Sequence, residues 1–269
     1  MSKARDSIED LKTIDANLAA KSPLASPTFT GNVGVGVTPK SWLSSYAAVQ
    51  IGAAGCAIGS NDNSFVSLNG NAYVDSVNSR WEYVNSDFAS QYQQYDGQHN
   101  WRVAASGTAD AAISWNDAMT INNAGIVTKP LQPAFCMSVN AYSGINAAAG
   151  VQVVRFGNQN SGGVLFNNGN NFDTTNYRFV APVSGFYQFN ANIRIDTASG
   201  DYIYLTMTKN GSTTAGRDLD SGIGSYNNRH VSQVLSLSAN DYVDCNVRTS
   251  GDTSIGIDGD SYFSGHLIG

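Results

Sequence analysis

Between Tyr177 and Phe189 the chain reads YRFVAPVSGFYQF, with aromatic residues at every second position on either side of Pro182 and Gly185. A period of two describes half-buried strands. Pro-Val-Ser-Gly between them is turn chemistry, because proline fixes φ and glycine frees it. The alternation extends through the C-terminal half as AFCMSVNAY (134–142), VQVVRFG (151–157), NYRFVA (176–181), GFYQFNANIRI (185–195), DYIYLTMTKNG (201–211), HVSQVLSLS (230–238), DYVDCNVRTS (241–250) and SYFSGHLIG (261–269), with a shorter strand near Thr213 to Leu219. Eight to ten strands with turn signals between them predict a sandwich or jelly roll over residues 131–269.

The N-terminal half is patterned differently. Ser7 to Asp10 reads as a helix cap, and Ile8, Leu11, Ile14 and Leu18 follow at helical spacings, so residues 1–22 are expected to form a short helical leader. Pro23, Pro27 and Pro39 exclude helix from the next stretch. From Ala47 to Lys129 come short pieces, AAVQIG, FVSLNG, AYVDS, RWEYV, HNWRVAASG, AAISW and AMTINNAG, each bounded by Gly, Asn or Asp. They predict strands of four to six residues in a β-rich segment, 23–130, that ends at the linker Lys129-Pro-Leu-Gln-Pro133. Short strands rich in Ala and Gly bury little per chain and leave open edges, so residues 1–130 are expected to be stable only as an oligomer, a trimer about one long axis.

Composition narrows the function. Charged residues make up 13% of the chain, about half the usual ~25%, and the net charge is −6 with a pI near 4.9. Without a basic stripe the chain is no nucleic-acid binder. It contains no apolar run long enough to span a membrane, and its first residues, MSKARDSIEDLK, do not read as a signal peptide. Cys56, Cys136 and Cys245 are far apart and odd in number, which suits buried small apolar residues better than disulfides or a metal site.

Two resemblances then become visible. LASPTFTGNV, and the segment GQHNWRVAASGTADAAISWNDAMTINNAGIV, resemble stretches of tailed-bacteriophage fibre proteins that enter an intertwined trimeric shaft. In the C-terminal half, Pro182-x-x-Gly185-x-Tyr187-x-Phe189, the LSLSANDYV run at 235–243 and Phe263-Ser-Gly265 resemble the globular head of complement C1q and the tumour-necrosis-factor-like jelly rolls. The chain departs from the animal proteins in having no collagen Gly-X-Y repeat. Together the resemblances imply an all-β homotrimer in which a C1q-like head, its first and last strands neighbours, is carried on a phage tail fibre. They also imply Tyr187, Phe189 and Phe263 in core and subunit interface, N-terminal attachment to other virion tail or baseplate proteins, synthesis in the host bacterial cytoplasm, and adhesion to a host surface glycan or protein.

Candidate chemistry lies in the loops expected at the end of the sandwich away from the linker, 141–150, 196–200, 220–229 and 251–260. Asp196, Asp201, Asp220, Asp252, Asp258 and Asp260 lie in or beside three of them. Oxygen donors around an axis suit Ca²⁺, and the resemblance implies calcium near the trimer apex, with Asp201, Asp252, Asp258 and Asp260 as its set. Solvated turn aspartates account for the same residues. The loop SGIGSYNNRH gathers Tyr226, Asn227, Asn228, Arg229 and His230, an aromatic face beside amide and guanidinium donors, the chemistry that binds sugars; an ordinary surface loop is the alternative. His99, His230 and His266 are scattered and no catalytic motif is present, so the chain is read as no enzyme. A secreted C1q-like structural protein of bacteria and a polysaccharide depolymerase are the other readings.

Overall fold

The computed structural model describes residues 29–61, 64–147, 150–157, 163–196, 202–221, 226–250 and 254–269, with backbone alone at 213 and 214. Among them every regular element is a strand. The leader helix expected within residues 1–22 lies outside the described residues. The chain divides between Lys129 and Pro130 into two compact units.

The first unit contains β1 (Val33–Val35), β2 (Tyr46–Ile51), β3 (Cys56–Asn61), β4 (Phe65–Gly70), β5 (Ala72–Val74), β6 (Trp81–Tyr83), β7 (Asp87–Tyr95), β8 (Gln98–Gly107), β9 (Asn116–Ile121) and β10 (Val127–Thr128). Eight of these form one sheet in the order β1-β2-β3-β4-β7-β8-β9-β10, and β5 and β6 form a separate hairpin. β7 and β8 run nine and ten residues, longer than the four to six expected. CAIGSN and DFASQYQQY are strands that alternation did not reveal, and AAISW holds only an isolated bridge from Ala112 to Glu82.

The reason is an inverted polarity. One face of this sheet buries Gln50, Ser67, Asn69, Gln91 and Asn100 against Trp42, Tyr73 and Tyr83 and the segments around them. The amides satisfy one another: Asn69 Nδ2 donates to Ser67 Oγ at 2.9 Å, and Gln91 Nε2 to Asn69 Oδ1 at 2.8 Å. The opposite face carries the apolar residues outward. Val33, Val49, Ile58, Leu68, Tyr92, Trp101 and Met119 are aligned in register across seven strands.

The second unit contains β11 (Ala134–Ser138), β12 (Tyr142–Ile145), β13 (Gln152–Val153), β14 (Val164–Asn168), β15 (Phe172–Asp173), β16 (Arg178–Val180), β17 (Gly185–Asp196), β18 (Ile203–Lys209), β19 (Thr213–Asp220), β20 (Tyr226–Leu237), β21 (Tyr242–Thr249), β22 (Ile255–Ile257) and β23 (Tyr262–Leu267). Seven form the sheet β12-β22-β17-β23-β11-β14, with β20 also on β17; six form β15-β16-β21-β18-β19, with β13 on β21. This is a two-sheet jelly roll, and its first and last strands, β11 and β23, are antiparallel neighbours. β16 begins at Arg178, one residue after Tyr177, whose φ of 56° marks a left-handed turn; Asp173 Oδ1 holds that turn by accepting the amides of Thr175 and Asn176.

Alternation builds the core. β17 sends Tyr187, Phe189, Ala191, Ile193 and Ile195 inward, β18 sends Ile203, Leu205 and Met207, and β21 sends Val243, Cys245 and Val247. Phe135 lies at their centre, with ring centroids 5.0 Å from Phe179 and 4.9 Å from Phe263. Tyr187, Phe189 and Phe263 have no accessible surface within one chain, so they are core alone and not subunit interface. The Tyr187 hydroxyl donates to the Val183 carbonyl at 2.8 Å, which ties the Pro-Val-Ser-Gly turn to the sandwich.

Both chain connections lie at one end. Leu267 N donates to Pro133 O at 3.0 Å, and Gln132 Nε2 to Leu267 O at 2.8 Å. The antiparallel register carries the end of β17 and the start of β20 to the opposite end.

Gly265 is fitted between rings: a Cβ there would come 2.5 Å from Phe189 Cδ1 and 2.9 Å from Phe135 Cε1. Gly265→Ala should destabilise the protein by about 1–3 kcal/mol through overpacking, read as a lowered denaturant midpoint with unchanged slope. The turn after β20 is held by Asp241, whose carboxylate accepts from Asn210 Nδ2, Lys209 Nζ and the Ser238 amide and is lowered to about 2, the Asn210 bond first among the causes. A depressed carboxyl contributes stability above its unfolded pKa of about 3.9 and loses it as pH falls through the folded value. Asp241→Asn should therefore flatten the pH dependence of stability between about 4 and 2, checked by urea melts across that window.

Candidate functional site

At the end of the sandwich away from the linker, two arginines organise the aspartates. Arg194, near the end of β17, donates its backbone amide to Ser261 Oγ at 2.9 Å and accepts the Asp258 amide at its own carbonyl, also at 2.9 Å. That pair of bonds holds the turn before β23 against β17. The Arg194 guanidinium then meets Asp260 at 2.8 Å, Asp196 at 3.5 Å and Asp258 at 3.7 Å, and lies 4.8 Å from the Tyr226 ring centroid. Asp260, Asp258 and Asp196 hold its proton more firmly, while desolvation, reinforced by Asp258, raises the Asp196 carboxyl above its ordinary value.

Of the expected calcium set, Asp258 and Asp260 thus face a guanidinium, and as they stand this pair does not fit a hard cation. Asp201 and Asp252 lie outside the described residues. Among the described residues no group of three or more His, Cys, Asp or Glu side chains is arranged to hold a metal.

The sugar-binding candidates divide. Tyr226 to His230 belong to β20 rather than to a loop, and a strand turns successive side chains to opposite faces. Tyr226, Asn228 and His230 point outward and are exposed. Asn227 and Arg229 point between the sheets, Asn227 buried and Arg229 with a side chain 12% exposed. Arg229 is a strut to β19: its guanidinium meets Asp220 at 2.7 Å and Asp218 at 3.8 Å, and the His230 amide donates to Asp218 Oδ2 at 2.9 Å. The outward patch instead gains Asn192, which pairs with His230 on one side and Tyr262 on the other. These two were hidden in the sequence inside strands assigned to packing; carrying the period of two across paired strands is the signal that finds them.

Arg229→Ala would leave Asp218 and Asp220 facing each other without their cation. The expected cost is about 1–2 kcal/mol, moderated because both carboxylates are partly solvated. It should appear as a lower melting temperature that high salt partly restores.

Residues 134–268 match the model of the C1q domain. The globular domain of zebrafish complement 1qA protein is similar at 20% identity, covering 51% of this chain and 98% of its own, with a TM-score of 0.39. Murine APRIL is similar at 12% identity in structures at pH 8.5 and pH 8.0, each covering 51% of this chain and 99% of its own, with TM-scores of 0.39 and 0.40. No curated protein matches the chain. With the family match extending over half of its length, the chain belongs to the C1q domain family.

Proposed function

We propose that this protein is a homotrimeric bacteriophage tail fibre or fibre tip that attaches to the host cell surface by binding a glycan or surface receptor, without turnover. C1q and tumour-necrosis-factor-like domains commonly form homotrimers and are generally binding modules, which supports assembly and adhesion. LASPTFTGNV and the segment from Gly97 to Val127 favour a fibre over a free-standing head. In this reading the N-terminus meets other tail or baseplate proteins.

The observation that carries the reading is the outward face of the eight-stranded sheet. Val35, Val49, Ile51, Ile58, Val66, Leu68, Phe88 and Val103 are exposed there, and none of the residues in its three central rows is Lys, Arg, Asp or Glu. Seven strands at ~4.8 Å spacing and three rows at ~6.8 Å make a patch of roughly 650 Å². That uncharged area, with Ser60, Ser90, Gln94 and His99 among its apolar side chains, approaches the ~800 Å² per partner of a stable interface. Its occupant is a second copy of the chain. A trimeric head holds three first units on one tether, so each apolar face meets another at high effective concentration. Three identical sites on one particle then give avidity from weak contacts.

The full chain should sediment at three times 28.5 kDa. Ile58→Lys with Leu68→Glu should expose the first unit to protease while the head remains trimeric. Antibody against the head should decorate fibres on the phage particle. A monomeric chain whose first unit resists protease removes the oligomer, and antibody bound only to bacterial envelopes points to a bacterial surface protein instead.

A further inference from the structure

On the sheet opposite to β17, the outward faces of β18 and β21 are unlike those of an ordinary solvent-facing sheet. Thr206, Thr208, Asp244 and Asn246 all point outward, yet all four are buried. They form the floor of a cavity of about 370 Å³ walled by Val151 and Val153, by the turn at Gly211 and Ser212, and by Tyr204 with Arg217. The volume lies within the usual ~300–1,000 Å³ of small-molecule sites.

The floor is pre-ordered. Asp244 Oδ1 accepts from both the Thr208 hydroxyl and Asn246 Nδ2, the latter at 2.8 Å, and Asn246 Nδ2 also reaches Thr208 Oγ1 at 3.2 Å. Both of these bonds to Asp244 end on Oδ1. Arg217 Nε donates to Thr206 Oγ1 at 3.3 Å, and the guanidinium lies 4.6 Å from the ring centroid of Tyr204, which is itself stacked on Tyr202. Among the described residues neither Asp244 nor Arg217 has an ion-pair partner. Asp244 thus reaches the cavity with one oxygen bonded and the other open to a donor from a ligand.

We infer that this cavity is a saccharide-binding site, taking a neutral sugar whose adjacent hydroxyls donate to Asp244 and accept from Arg217 while its C–H face lies on Val151 and Val153. A hard cation needs six to eight oxygens with more than one carboxylate among them as a rule, and the floor offers a single carboxylate. A phosphate or sulfate would be repelled by Asp244. An apolar ligand would leave the second Asp244 oxygen without water or a donor. The inference rests on the adhesion reading for its biological meaning and relocates the glycan contact from the end of the sandwich to its side.

The test uses the full chain and methyl glycosides of glucose, galactose, mannose and N-acetylglucosamine at ~10 mM, a range that detects millimolar binding, read by saturation-transfer NMR. At least one should receive saturation. Asp244→Asn, which keeps the shape and removes the charge, and Arg217→Leu, at the rim, should each weaken it by about tenfold or more, with melting temperature and assembly mass held as controls of folding. No transfer to any glycoside, transfer unchanged in both variants, or calcium chloride competing for the site overturns the inference. Adsorption to host cells separates the two levels. Loss on Asp244→Asn supports both. Retained adsorption with sugar binding lost leaves the site standing and counts against its role in adhesion, and loss on Tyr226→Ala alone places the receptor contact at the end of the sandwich.

Discussion

The jelly roll depends on one close approach. Gly265 lies in register between Phe135 on one neighbouring strand and Phe189 on the other, and the absence of a side chain there lets both rings close over the seam where the first strand meets the last. Around that seam Phe172, Phe179 and Phe263 pack within about 6 Å of one another or of Phe135. Burying an aromatic ring contributes most of what a small sandwich has to offset its chain entropy. The seam therefore sets the spacing of the two sheets, and through it the places where side chains on the outer faces can meet.

Those outer faces differ in kind. On the seven-stranded sheet the register lines up amides and hydroxyls, with Gln188 Nε2 donating to Ser232 Oγ at 3.0 Å and Ser232 Oγ to Asn190 Oδ1 at 2.8 Å. On the six-stranded sheet a recess holds a carboxylate. In the first unit the polarity is reversed outright, with an amide ladder inside and aliphatic rows outside. In the assembly proposed above, copies of the chain would cover some of these faces, and uncharged surfaces permit close packing without the desolvation cost of ion pairs.

How much of this could be read beforehand follows from polarity. The strands of the head were legible because β17, β18 and β21 alternate large apolar residues against polar ones; burial follows that period in β17, whereas β18 and β21 are buried on both faces. β3 and β7 were hidden because Ala57, Gly59, Ala89 and Gln91 face inward while Ile58 and Tyr92 face outward, which reverses the usual assignment. The distal aspartates were visible as a group, but their partner Arg194 was not, since it sits in a strand more than sixty residues from Asp258 and Asp260 in sequence. The recess at Asp244 was invisible for a similar reason: Thr206, Thr208, Asp244 and Asn246 become neighbours only when β18 pairs with β21.

The side-by-side placement of Pro133 and Leu267 has an evolutionary meaning. A fold that begins and ends at one seam can be exchanged by two crossovers in nearby space without rebuilding what it is attached to. The C1q domain of this chain is thus built as a cartridge, in which a new set of outward side chains can replace the old while the connection at Pro133 is left as it was.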